Sequence, residues 1–225
     1  MNRNTVSILG RSQVSALQAN KVLRNTYMLL GMTFLFSALM AYVSFALHTR
    51  PLNPLLMLVG VYGLMFLTSS LRNSVWGLLS VFAFTGFLGY SLGPILNMFT
   101  TQFSNGPQLV ATALGGTGLI FFALSGYALT TRRDFSYLSG FLFIAVMCAF
   151  IASLAAMFFQ LPMLSLLVSA AFMLISSGLI LLQTSEIVHG GETNYIMATV
   201  SLFVSIYNLF ISLLNILGAF SGNRE

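Results

Sequence analysis

The chain has 225 residues, of which 57% are hydrophobic and only 6% charged, and its mean hydropathy is +0.92. Soluble domains carry about 25% charged residues, so a surface this poor in charge excludes a soluble fold and implies an integral membrane protein. The net charge of +5 is spread over nine Lys and Arg residues standing between apolar runs, which excludes a nucleic-acid-binding patch.

Residues 1–26 are polar and hold Arg3, Arg11, Lys21 and Arg24. They contain no apolar core with a small-residue cleavage site, so they read as a cytoplasmic tail and not as a cleavable signal peptide. The composition of the first 20 suits partial disorder. Seven apolar segments follow, near 27–48, 55–71, 75–99, 109–130, 137–159, 163–185 and 196–220. A bilayer core needs about 20 helical residues, and the second segment is the weakest by length. Turn signals mark the breaks: Pro51 with Pro54, Asn73, Asn105-Gly106-Pro107, Arg132-Arg133-Asp134 and Leu161-Pro162. The expected organisation is a single all-α transmembrane domain of seven helices over residues 27–220, with a short C-terminal tail at 221–225.

Charge placement orients these spans. With the N-terminus cytoplasmic, seven Lys and Arg residues fall inside (four in the tail, Arg72, Arg132 and Arg133) and two outside (Arg50 and Arg224). The positive-inside rule therefore favours a cytoplasmic N-terminus and a C-terminus on the other side.

Within the spans, small residues mark expected close contacts between helices. Gly86, Gly89 and Gly93 share one face of the third segment, and Gly115, Gly116 and Gly118 cluster in the fourth. Pro94 is expected to kink or end the third helix, because its ring removes a backbone donor. The single Cys148 excludes an intramolecular disulfide, and its apolar surroundings suit a small buried hydrophobe. Tyr62, Tyr90, Tyr127 and Trp76 fit interfacial anchors or core filling equally well.

Reactive chemistry is scarce. Asp134 is the only aspartate and lies in a predicted loop, so no aspartyl dyad is available. The sequence has no HExxH, GxSxG or Walker motif. His48 falls at the end of the first segment and His189 in a loop, which argues against a Ser–His hydrolase. Glu186, His189 and Glu192 recur every three residues and would be neighbours on a continuous helix. Gly190-Gly191 should end that helix after the histidine, leaving a solvated loop as the default reading and no metal site. An enzyme is not expected, and no cofactor is called for.

The last segment carries a polar stripe. Ser201, Ser205, Asn208, Ser212 and Asn215 are spaced by 4, 3, 4 and 3 residues, which puts them on one helical face. Asparagine amides facing hydrocarbon would cost several kcal/mol each. The face should meet protein or a water-filled cavity, and the last helix should sit at the bundle's centre.

Several segments carry a family resemblance: residues 130–137 (TTRRDFSY), 84–95 (FTGFLGYSLGPI), 201–210 (SLFVSIYNLF), 189–196 (HGGETNYI) and 21–27 (KVLRNTY). From about Lys21 to Gly218 the chain resembles the Bax inhibitor-1 (TMBIM) family, and within it bacterial inner-membrane members that modulate a membrane-anchored AAA protease of the FtsH type. The resemblance implies two groups of three helices around the seventh. It implies as partners that protease and its membrane scaffold, with this chain acting as inhibitor and itself a substrate. It also implies an ion path, because calcium-leak members bear an aspartate pair on the sixth and seventh helices. The matching positions here are Gln183 and Ser205, with Arg72 near a basic position of the family's second helix. Neither Gln nor Ser titrates in the physiological range, and hard cations favour carboxylates, so calcium binding should be weak. The leading expectation is a binding protein acting on a protease. A pH-sensitive calcium or cation leak is the alternative.

Overall fold

A computed structural model describes the backbone of residues 3–222 and the side chains of residues 18–222. Its elements are α1 (Arg3–Ala46), α2 (Pro54–Leu71), α3 (Trp76–Gln102), α4 (Gly106–Thr131), a 3-10 turn (Ser136–Leu138), α5 (Ser139–Phe158), α6 (Pro162–His189) and α7 (Tyr195–Gly222). All seven α-helices are long and apolar enough to cross a membrane. In a bilayer that is the economical arrangement, since each helix satisfies its own backbone polar groups. The span within α1 is Gln18–Ala46. Val22 and Leu23, just upstream of the apolar run, pack on the central cluster. The expectation of partial disorder over the first 20 residues is corrected by the backbone, which is helical from Arg3; the side chains before Gln18 lie outside those described.

Helix starts follow local chemistry. Pro54, Pro107 and Pro162 stand in the first turns of α2, α4 and α6, where a missing N–H costs nothing. The Asn53 side chain also accepts from the Leu55 amide at 2.9 Å at the start of α2. Helix α6 stops at His189 because Gly190 adopts a left-handed φ of 75°. His189 is thus the last helical residue and not a loop residue, although the glycine pair ends the helix as expected.

Helix α7 is the centre. Half of its most apolar stretch is buried, against 6% for α2. It packs on α1, α2, α3, α4 and α6, while its Cα atoms nowhere come within 8 Å of those of α5. Leu202, Phe203, Leu209 and Leu214 of α7 are almost wholly buried, alongside Val81 and Phe84 of α3 and Ile180 of α6. Helix α2 keeps Thr68 as its one buried residue and lies at the periphery.

The glycines of α3 meet α1. A Cβ on Gly86 would collide with the Phe36 ring, on Gly89 with the Ser37 carbonyl, and on Gly93 with the Ser44 side chain. Those of α4 do not behave alike: Gly115 and Gly118 face open space, and Gly116 only approaches Leu213 at ordinary contact distance. Pro94 does not end α3, which runs on to Gln102, consistent with the tolerance of membrane helices for proline where neighbours support them. The expected burial of Cys148 needs correction. Cys148 is exposed on the surface of α5, which among the described residues packs on α6 and the 3-10 turn alone. A thiol behaves as a small hydrophobe, so lipid accommodates it as well as a core does.

Candidate functional site

The polar stripe of α7 faces α6. Ser205 and Ser212 are buried, Ser201 and Asn208 half-buried, and Asn215 exposed. The Ser205 hydroxyl lies 3.1 Å from Gln183 Oε1 on α6 and 3.1 Å from the Ser201 carbonyl. It has one hydrogen to give. With the Gln183 amide turned over, Nε2 donates to Ser205 while the hydroxyl donates to Ser201, and both contacts are filled. The pair is therefore neutral in either arrangement and bridges the two helices. Further along the stripe, Asn208, Ser212 and Asn215 line a cavity of about 510 Å³ between α5, α6 and α7.

Other polar contacts knit the same centre. Thr184 of α6 lies 3.4 Å from both Tyr27 of α1 and Ser125 of α4. Tyr207 of α7 meets Ser91 of α3 at 3.0 Å. Such pairs each stabilise a membrane bundle by about 0.6 kcal/mol on average.

At the α6 terminus a second cluster forms. The Ser185 hydroxyl donates to the Arg133 carbonyl at 3.1 Å and accepts from the Phe135 amide at 3.1 Å. His189 places Nδ1 at 2.9 Å from the Ser185 carbonyl and Nε2 at 3.0 Å from the Arg132 carbonyl. Both acceptors are carbonyls, so only the doubly protonated ring fills both bonds at once. These contacts clamp the α4–α5 connection onto α6. Within it, hydrogen bonds from the Ser136 hydroxyl and backbone amide hold the Asp134 carboxyl below the usual carboxylate range, and His189 adds a smaller attraction.

The remaining sequence candidates are not brought to this seam. Glu192 accepts from the Asn194 amide at 2.7 Å, and the Asn194 side chain accepts from the Ile196 and Met197 amides, capping α7. Among the described residues no three His, Cys, Asp or Glu side chains are grouped to share a metal. Arg72 is exposed at the end of α2, where its carbonyl accepts from Asn194 Nδ2 at 3.1 Å. Asn194 precedes Ser205 by eleven residues, roughly 16 Å of helical rise, so Arg72 is no neighbour of the Gln183–Ser205 pair.

The family model described as "Inhibitor of apoptosis-promoting Bax1" matches residues 19–222. The chain belongs to the Bax inhibitor-1 family. It is 54% identical over 206 residues to the Escherichia coli protein named "Modulator of FtsH protease YccA", covering 92% of this chain and 93% of the relative. In a second E. coli strain the relative is named "Inner membrane protein YccA", with the same identity and coverage. An uncharacterized Pseudomonas aeruginosa protein matches at 54% identity over 92% of both chains. In this family member, the seam between α6 and α7 joins through an amide and a hydroxyl.

Sequence reasoning missed the roles of Ser185, His189 and Asn194 in tying connections to the bundle. Asn194 had a legible signal, an asparagine directly before an apolar run. The contacts of Ser185 and His189 reach carbonyls about fifty residues away in sequence, and no local pattern announces them.

Proposed function

We propose that this chain is a multi-pass protein of the bacterial inner membrane that binds an FtsH-type AAA protease and its membrane scaffold, restraining the degradation of other membrane proteins. The observation that carries this reading is the 54% identity, over nearly the whole of both chains, to a protein named as a modulator of that protease. It acts by binding and not by catalysis. Its N-terminus lies in the cytoplasm and its C-terminus in the periplasm, in keeping with the distribution of Lys and Arg. Helices α1–α3 and α4–α6 form two groups of three around α7. Residues 1–20 serve as the handle by which the protease grips this chain as a substrate.

The test is crosslinking and co-purification from native membranes, with recovery of a membrane AAA protease as the expected result. Its absence, with the chain itself recovered intact, would remove the proposal. Deleting residues 1–20 should lengthen the lifetime of the chain in cells that contain the protease and leave it unchanged in cells without it.

A second reading, a cation leak, draws on the contact between Gln183 and Ser205 across the α6–α7 seam. A neutral pair offers no proton switch and little to hold calcium, so the reading ranks below the first. Calcium flux into proteoliposomes should equal that of empty liposomes at acidic and neutral pH. The paired change Gln183→Asp with Ser205→Asp should introduce pH-dependent flux if the seam is a latent path.

A further inference from the structure

The cavity between α5, α6 and α7 has no part in that reading. It is a partly open space of about 510 Å³, lined by Ser153, Ser165, Ser169, Asn208, Ser212 and Asn215 among apolar neighbours, with no charged side chain and with Ser165 and Asn215 exposed. It exists because α5 packs on α6 without approaching α7. Counting along the helices, Ser165 lies about 5 Å and Ser153 about 8 Å from the ends that flank the α5–α6 turn. Asn208 lies about 21 Å from the end of α7. The space thus runs from one end of the bundle towards its middle and stops one helical turn short of Ser205.

Its polar wall is unpartnered. Ser212 is only 4% exposed and lines the cavity, and its hydroxyl hydrogen-bonds to no described residue. The half-buried Asn208 amide and the exposed Asn215 amide likewise have no side-chain hydrogen bond to a described residue. Ser169 donates to the Ser165 carbonyl at 3.0 Å and keeps its lone pairs free. Two turns deeper on α6, the buried Ser176 hydroxyl also lacks a partner. Cavities that stay empty are apolar, whereas a roomy polar one holds water. An unpaired amide or hydroxyl at this depth would cost several kcal/mol, so something that both donates and accepts hydrogen bonds fills the space.

The absence of charge decides what that is. An ion entering would give up hydration to neutral hydroxyls and amides spread along the cavity, with no counter-charge to meet it. Neutral amide and hydroxyl groups lose nothing, because the wall offers donors and acceptors together. The volume falls within the range of small-molecule sites, about 300–1,000 Å³. We propose that this cavity is a hydrated site that admits small uncharged solutes bearing hydroxyl or amide groups and rejects ions.

The test uses the purified full-length chain in nanodiscs with Cys148→Ser as background. Ser212→Cys and, separately, Asn208→Cys report on the cavity, and Ile151→Cys, exposed on the outer face of α5, reports on lipid. Each is treated with 2-hydroxyethyl, 2-sulfonatoethyl or 2-(trimethylammonio)ethyl methanethiosulfonate, with rates normalised to free cysteine. The hydroxyethyl reagent should modify both cavity thiols at least about tenfold faster than either ionic reagent, as the cost of charge at this depth requires. It should also outpace its own reaction at Ile151→Cys by a similar factor. Cavity thiols as protected as the lipid-facing one would show the space to be dry and overturn the proposal. Ionic reagents reacting as fast as the neutral one would overturn it equally, by showing that the site takes ions. Two cavity positions guard against one variant failing to fold, which gel filtration would reveal.

Discussion

The α1–α3 seam and the α6–α7 seam solve the same problem in opposite ways. Helices in lipid gain nothing from hiding apolar surface from one another, so they associate through close packing or hydrogen bonds. Between α1 and α3 the solution is packing. Gly86, Gly89 and Gly93 remove side chains so that α3 lies against Phe36, Ser37 and Ser44 of α1. Between α6 and α7 it is hydrogen bonding, through Gln183 and Ser205, and the seam opens beyond Asn208 into a polar cavity. A seam filled by backbone contact has one arrangement. A seam held by an amide and a hydroxyl admits the two hydrogen-bond arrangements that turning over the Gln183 amide allows.

The comparison breaks most visibly at Gly89. A methyl there meets the Ser37 backbone carbonyl, which is no flexible side chain and cannot swing aside. Gly89→Ala should cost about 1–3 kcal/mol, the usual penalty of overpacking, and lower the thermal unfolding midpoint in detergent. Gly118→Ala faces open space and should change stability by less than about 0.5 kcal/mol. Equal shifts for the two variants would mean that α3 is not seated on α1 as described.

These two glycines also show how much could be read from the sequence. Periodicity put Gly89 on one helix face with Gly86 and Gly93, because helical spacing is a local property, while Gly118 stood out only as one of a cluster in the fourth segment. It could not say whether a face meets a helix or lipid, since both are apolar. Cys148 was misplaced for the same reason: its apolar run was legible, its exposure on α5 was not. The polar stripe fared better, because Asn208 and Ser212 are expensive in lipid and cost alone points them inward. What it could not disclose was that part of the inward face meets a void, which depends on how far α5 stands from α7.

A smaller effect is expected from Ser205→Ala. It removes one hydrogen bond from the α6–α7 seam, and such bonds contribute about 0.6 kcal/mol on average and at most about 1.7. Ser212→Ala, which removes a hydroxyl without a protein partner, should be closer to neutral still. If Ser212→Ala were the more damaging of the two in the same unfolding assay, the seam would not be held where Gln183 and Ser205 meet.

The smallest effect separates the seams by pH. The glycine seam has no carboxylate or histidine between Phe36 and Ser44 or between Gly86 and Gly93. The α6 terminus is tied to a loop shaped by Asp134, whose carboxyl titrates below its ordinary value because Ser136 donates to it twice. A depressed folded-state value means that the ionised carboxylate favours the folded loop. Its contribution is complete above the unfolded value of about 3.9 and disappears as pH falls through the lower folded value. Asp134→Asn should therefore unfold at a slightly lower temperature than the parent chain at neutral pH, and the gap should close on acidification below about pH 4. The Gly89→Ala deficit, which is steric, should stay constant over the same range. A gap at Asp134→Asn that persisted in strong acid would place its origin in lost shape instead of lost charge, and the loop's tie to α6 would then be as indifferent to protons as the glycine seam.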